Sequence, residues 1–338
     1  FKGSWLITWL QQLGATVKGY ALAPENDFDL YHAIKGDELC ESVIADIRDK
    51  ERLAKEIVSF EPDFVFHLAA QPLVRLSYVL PAYTFEVNAQ GTAHVLDALR
   101  KLDKPCVAVM ITTDKVYENL ETGYYYKETD RLGGYDPYSA SKACAELVVD
   151  SYRKSFFNPA SYLQHGKSIS VARAGNVIGG GDWAKDRIIP DIVRALQANE
   201  PVLLRNPSSV RPWQHVLEPL HGYLILAAHQ VKQPVKYASA YNFGPERQDN
   251  LTVEEVTQKS VDMWGSGNYE KAESVQQMHE AGLLRLDISK VKTELKWRPR
   301  YNASEAIAKT IQWYQRFVKG DNARLLVTQQ VEAYVNLI

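Results

Sequence analysis

The sequence predicts an α/β protein: a doubly wound parallel sheet with a smaller domain interleaved with it. Three observations carry that expectation. From residue 1 to about 176, short β-branched or aromatic runs alternate with amphipathic stretches. The strand-like runs are continuously apolar, the pattern of strands covered on both faces. After Gly175 the texture changes to GNVIGGGDWAKDRIIP and PVLLRNPSSVRPWQHV, rich in Gly, Pro, Arg and Trp. Such segments are poor at regular structure and are usually functional.

The elements follow in order. FKGSWLITWLQQLG reads as a helix, with Gly3 just inside it and Gly14 at its carboxyl cap, and TVKGYAL as the strand after it. The chain opens inside what reads as a motif and without Met, so preceding residues are expected to be missing. If they supply a strand and two further glycines, Gly3 is the third glycine of a dinucleotide fingerprint, the one that lets helix and strand pack closely. Alone, it is a helix that happens to begin with glycine. An acidic residue normally ends the second strand to hold a ribose diol, but KGYALAPEN places Tyr20, Ala21 and Leu22 there. In SVIADI, Asp46 beside Ile47 either accepts from an adenine amino group or caps the helix DKERLAKEIVSF starting near Lys50. DFVFHLAAQ is a strand ended by Pro72; Leu68, Ala69 and Ala70 would let a cofactor lie on backbone, and His67 reads equally as a core histidine. VNAQGTAHVLDALRKL and SASKACAELVVDSYRKSF read as helices, CVAVMITT and SISVARAG as strands. The three glycines at 179 to 181 lack a following GK[ST], so they read as a flexible hinge before Trp183. From about residue 251 the tail is mainly helical, with DISKVKTELKW stopped by Pro299.

Bulk properties narrow the function classes. With 338 residues, 46% of them hydrophobic and 24% charged, the chain can bury a large core. A formal net charge of −2 removes any global attraction to nucleic acid or an anionic membrane, so neither is an expected partner. Cys40, Cys106 and Cys144 are far apart and without CxxC spacing, which reads as free thiols in a reducing compartment. No histidine pattern suggests a metal. No apolar run reaches about 18 residues, so a cytoplasmic location is expected.

The candidate chemistry lies at two points. ITTDK ends a strand with Thr113, Asp114 and Lys115 in succession, where the sheet of a doubly wound fold gathers its ligands. YSASK places Tyr138 and Lys142 four apart on one helix face. A lysine ammonium beside a phenol stabilises the phenolate and pulls its pKa down from about 10, so that Tyr138 can act as a base.

Through FKGSWL, ITTDKVYEN, YDPYSASKACAE, GNVIGGGDWA, RPWQHVLEPL and YNFGP, essentially the whole chain resembles the extended short-chain dehydrogenase/reductase family in its nucleotide-sugar dehydratase branch. TDK in place of Thr-Asp-Glu, with GGGDW and RPWQHV, points to the members acting on CDP-glucose. The resemblance implies a Rossmann-like domain binding NAD over residues 1–176, with later strands from about 214–245. Residues 177–213 and 246–338 would mainly form the substrate-binding domain. It also implies an internal redox elimination: Tyr138, aided by Thr113, removes the 4-hydroxyl proton as hydride leaves C4. Lys115 then takes the C5 proton and Asp114 protonates the departing 6-hydroxyl, the pair being coupled. The product is a 4-keto-6-deoxy sugar for deoxysugar synthesis such as feeds lipopolysaccharide O-antigen.

Arg187 and Arg211 are candidate diphosphate ligands, although each reads also as a surface charge. Asn176 would donate to phosphate or sugar, and Trp213 and Tyr241 would pack near the base. In this family the helices around residues 84 to 100 and 138 to 154 pair with their twofold mates, so a homodimer is expected, with a higher assembly open. Another nucleotide-sugar dehydratase, an epimerase and a non-catalytic dinucleotide sensor are the competing readings.

Overall fold

The computed structural model describes residues 1–272 and 283–338. Six strands make the nucleotide-fold half. β1 (Lys18–Ala21) and β2 (Glu41–Ile44) pair in parallel as a two-stranded ribbon. β3 (Phe64–His67), β4 (Cys106–Thr113), β5 (Lys167–Ala174) and β6 (Ala240–Phe243) form a parallel sheet in the spatial order β6-β5-β4-β3. β4 and β5 pair over their full length, from Cys106 with Lys167 to Thr113 with Ala174.

The helices that matter here are α1 (Lys2–Gln12), α2 (Lys50–Phe60), α3 (Gly91–Arg100), α4 (Pro137–Ser155), α5 (Ile188–Ala198), α6 (Leu217–Lys232), α7 (Val253–Trp264), α8 (Ala303–Val318) and α9 (Ala323–Val335). Val107, Val109 and Ile111 of β4 enter one core with Trp5 and Trp9 of α1 and Leu220 and Tyr223 of α6. Cys106, Ala108 and Met110 enter a second core with Leu96 and Leu99 of α3 and Val149 of α4. Successive strand residues point to opposite faces, so a strand covered on both sides must be apolar throughout. α4 begins where the sequence stops it from extending backwards: Asp136 Oδ1 accepts from the Ser139 N–H at 2.9 Å, and Pro137 fits the first turn. α1 is capped by Leu13 and followed by Gly14, whose φ of +78° suits glycine.

Several local expectations are corrected. The cap of α2 is Asp49, whose Oδ1 accepts from the Arg52 N–H at 3.1 Å, and not Asp46. β3 ends at His67, well before Pro72. The helix in DISKVKTELKW, Ser289–Glu294, ends because Lys296 turns left-handed with φ +58°, before Pro299 is reached. The segment after Gly175 is more regular than its composition suggests. It holds α5 and short strands such as Val202–Leu204, paired with Tyr269–Lys271, and Val210–Pro212, paired with Asn250–Thr252. The tail is largely helical among the described residues; 273–282 of it lie outside them. The glycines at 179 to 181 are a packed spine and no hinge. A Cβ at Gly179 would come within 2.8 Å of Val216, one at Gly180 would overlap the Trp313 ring, and one at Gly181 would come within 2.6 Å of Leu30. No helix among the described residues is long and apolar enough to cross a membrane.

Candidate active site

β4 delivers Thr113 to the carboxyl edge of the sheet, and Asp114–Val116 follow as one 3₁₀ turn. Thr113 Oγ1 donates to Asp114 Oδ1 at 2.9 Å and accepts from the Lys115 backbone N–H at 3.3 Å. The same hydroxyl hydrogen-bonds the Tyr138 phenol at the start of α4. Burial pushes the Asp114 carboxyl above the ordinary carboxylate range, while Lys115, the Thr113 hydroxyl and Arg211 act the other way.

Tyr138 departs from expectation. Burial pushes its phenol up to about 12, against the Thr113 hydrogen bond and the Arg187 guanidinium. The Lys142 ammonium is committed elsewhere: its Nζ donates to the Ile111 carbonyl at 3.0 Å. Burial brings Lys142 down to about 8, with the Glu146 carboxylate pulling upward. The cation that eases ionisation of Tyr138 is therefore Arg187, from the segment after Gly175.

A single cleft runs past these groups. At one end it is lined by Gly3, Asp46 and Ile47, along its floor by Leu68, Ala69 and Ala70, and at the other end by Thr113, Lys115, Tyr138 and Lys142. A Cβ at Gly3 would meet nothing within 4 Å, so no close packing at this glycine is present among the described residues. The Asp46 carboxylate already accepts from Arg48 Nη2 at 2.8 Å and Nε at 3.1 Å, which holds it below the usual carboxylate range. His67 is the core histidine of the two readings: its Nε2 lies 3.0 Å from Thr92 Oγ1, and burial pushes it down to about 3, so it stays neutral. The small floor residues, ending on a buried phenol and ammonium, suit an elongated dinucleotide.

Of the substrate candidates, Asn176, Arg187, Arg211 and Trp213 line the cleft. Arg187 Nη1 pairs with Asp182 Oδ2 at 2.8 Å, and the Trp213 indole N–H donates to the Leu251 carbonyl at 2.9 Å. Tyr241 is a correction. It is fully buried, its hydroxyl donates to Glu294 Oε2 at 2.8 Å and Lys290 sits 4.2 Å from its ring centroid, so it packs in the core of β6 and does not line the cleft.

A model of the GDP-mannose 4,6 dehydratase family matches residues 1–310. The chain belongs to that family. Among its relatives, the CDP-glucose 4,6-dehydratase of Salmonella typhimurium is 46% identical over 336 residues, covering 99% of this chain and 94% of that one. The dTDP-glucose 4,6-dehydratase of Streptomyces antibioticus is 32% identical, covering 75% of this chain and 71% of that one. The fold is that of the dTDP-glucose 4,6-dehydratase of Streptomyces venezuelae, solved with NAD bound, at a TM-score of 0.78 and 24% identity over 94% of each chain.

Two features of this GDP-mannose 4,6-dehydratase family member lie outside the sequence reading. Lys2 lines the cleft; burial, then Arg187 and Lys142, bring its ammonium down to about 7. Its Nζ lies 3.4 Å from the buried Tyr223 hydroxyl. Below the cleft floor, Glu146 of α4 pairs with Arg173 of β5. FKGSWL and YSASKACAE contained both signals, but a lysine beside a glycine and a glutamate one turn beyond YSASK have no meaning until the partners are placed.

Proposed function

We propose that the chain is an NAD-dependent CDP-glucose 4,6-dehydratase, converting CDP-D-glucose to CDP-4-keto-6-deoxy-D-glucose. One observation carries this reading: a single hydroxyl, that of Thr113, joins the Tyr138 phenol to the Asp114 carboxyl, with Lys115 next in the chain, at the end of a cleft suited to a dinucleotide. The 46% identity to a CDP-glucose 4,6-dehydratase supports the nucleotide preference.

Gly3, Asp46, Ile47, Leu68, Ala69, Ala70, Tyr138 and Lys142 would hold NAD, whose nicotinamide supplies a reversible hydride acceptor for C4 and donor for C6. Tyr138 takes the 4-hydroxyl proton, with Thr113 holding the phenol and Arg187 stabilising its anion. The resulting ketone acidifies the C5–H bond. Lys115 takes the C5 proton, and Asp114 gives its proton to the 6-hydroxyl, which leaves as water across C5–C6. Burial of Asp114 favours the protonated form that this step requires. An epimerase would leave Asp114 and Lys115 without a task. Arg187 and Arg211 offer cationic forks for diphosphate, Asn176 an amide donor and Trp213 an apolar wall.

Residues 1–176, with strands from 214–245, would form the NAD domain, and 177–213 with 246–338 mainly the substrate domain. A cytoplasmic homodimer, paired through the helices around 84 to 100 and 138 to 154 and serving deoxysugar or O-antigen synthesis, completes the reading. With CDP-glucose deuterated at C4, the expected product carries the label at C6. Loss of label to solvent, or no dehydration, removes the proposal.

A further inference from the structure

Three residues in register across the sheet form one row: Thr112 of β4 pairs with Arg173 of β5, and Arg173 pairs with Asn242 of β6. The row is bonded at both ends. The Thr112 hydroxyl donates to Glu146 Oε1 at 2.6 Å, and Arg173 Nε donates to the two oxygens of the same carboxylate at 2.8 and 3.0 Å. Asn242 Nδ2 donates to the carbonyls of Tyr126 at 2.9 Å and Asp287 at 3.2 Å, which orients the amide.

The chain leaves this row at Thr113 and comes back to it at Tyr117. There the phenol donates to Asn242 Oδ1 at 2.7 Å and accepts from Arg173 Nη1 at 2.7 Å, with the guanidinium 4.8 Å from the ring centroid. Tyr117, Arg173 and Asn242 are all buried, where water does not replace a lost hydrogen bond. Between the two anchored ends stand Thr113, Asp114, Lys115 and Val116.

We propose that Tyr117 is a positioning residue of the active site: its phenol closes the span of residues 113–116 onto Arg173 and Asn242, and so sets where Asp114 and Lys115 stand. The functional part of this inference rests on the dehydratase reading, in which those two side chains act at C5 and the 6-hydroxyl while Tyr138 acts at C4.

The two ends of the span are held differently. At the upstream end, Thr113 is paired with Ala174 as the last residue of β4. Downstream, the Val116 carbonyl accepts from the Gly133 N–H at 2.8 Å and the Glu118 N–H donates to the Arg131 carbonyl at 3.0 Å, bonds that fasten the chain to residues 131–133. The Tyr117 hydroxyl ties this end to the sheet. Its loss should therefore displace Asp114 and Lys115 more than Thr113, which strand pairing keeps beside Tyr138. A reacting group misplaced by about 1 Å loses up to about 10²-fold in rate.

Because the chemistry has two halves, a displaced turn leaves a signature. Tyr117→Phe removes the hydroxyl and keeps the ring in its stack on Tyr126, 5.0 Å away between centroids. Its kcat for CDP-glucose should fall about 10- to 100-fold with KM nearly unchanged. The deuterium isotope effect from C5 should grow relative to that from C4, since proton removal at C5 becomes slow beside hydride loss at C4. Tyr126→Phe is the control: its hydroxyl accepts from the Leu120 N–H at 2.8 Å and donates to Asn119 Oδ1 at 3.3 Å, beyond the turn, so its isotope-effect ratio should stay at the wild-type value. A wild-type ratio in Tyr117→Phe, or an equal shift in Tyr126→Phe, overturns the inference and leaves the phenol as packing. A wild-type protein that leaves CDP-glucose intact removes the dehydratase reading instead. Backbone amide exchange over residues 114–117 then decides the anchoring: faster exchange in Tyr117→Phe alone upholds it, and equal rates in wild type and both variants overturn it.

Discussion

Arg173 with Glu146, packed behind the cleft-lining Thr112, and Arg205 with Asp186, which line the cleft themselves, are both arginine–carboxylate pairs, and they differ in the way that matters most. The first lies under the floor with both side chains 4% exposed, while the second stands at the rim with 33% and 42% exposed. Under the floor, the carboxylate has fixed partners, Thr112 and Arg173. At the rim, Asp186 also meets Arg75 at 3.3 Å, and Arg205 also meets Asp191 at 3.3 Å. A buried pair fixes geometry because neither member has an alternative, whereas exposed pairs exchange partners at little cost. The same pairing holds the end of β4 still in one place and leaves partners exchangeable in the other.

The strongest check on the rigid floor is Tyr138→Phe, which keeps the ring and removes the proton acceptor. Turnover of CDP-glucose should fall by about 10²- to 10⁴-fold with the circular dichroism spectrum unchanged. Turnover near wild type would mean that the floor positions something else. Next in size is Glu146→Ala, which strands Arg173 in a dry site. Urea unfolding should show a loss of about 3–5 kcal/mol. A loss as small as a rim pair's would erase the distinction between floor and rim. At the rim, Asp186→Asn should change stability by less than about 1 kcal/mol. Arg205→Ala should raise KM for the nucleotide sugar more than it lowers kcat, and added salt should shrink the difference. An unchanged KM would show that the rim cations take no part in binding.

The floor was partly legible in the sequence. CVAVMITT announced a strand buried on both faces, and the spacing of Tyr138 and Lys142 placed them on one helix face, because both are local patterns. The partner of Glu146 was hidden because Arg173 lies on another strand, and nothing local says which buried charge meets which. The glycines at 179 to 181 misled for the same reason: their composition suggests a loop, and contact with Trp313 of α8 and Leu30 decides otherwise. Tyr241 misled by position in a strand, since the face it presents depends on pairing with Ala172. The pKa of Tyr138 was misjudged because helix spacing reports proximity and not burial, and burial is the larger influence on it.

β4 sends Val107, Val109 and Ile111 into one hydrophobic layer and Cys106, Ala108 and Met110 into the other. Sliding this strand by a single residue against β5 would exchange the two sets and turn Thr113 away from Tyr138 in the same movement. Misalignment would therefore be punished twice before chemistry was even attempted, and a chain that has settled both layers has already aimed its threonine. On this strand, folding correctly and being ready to react are one event.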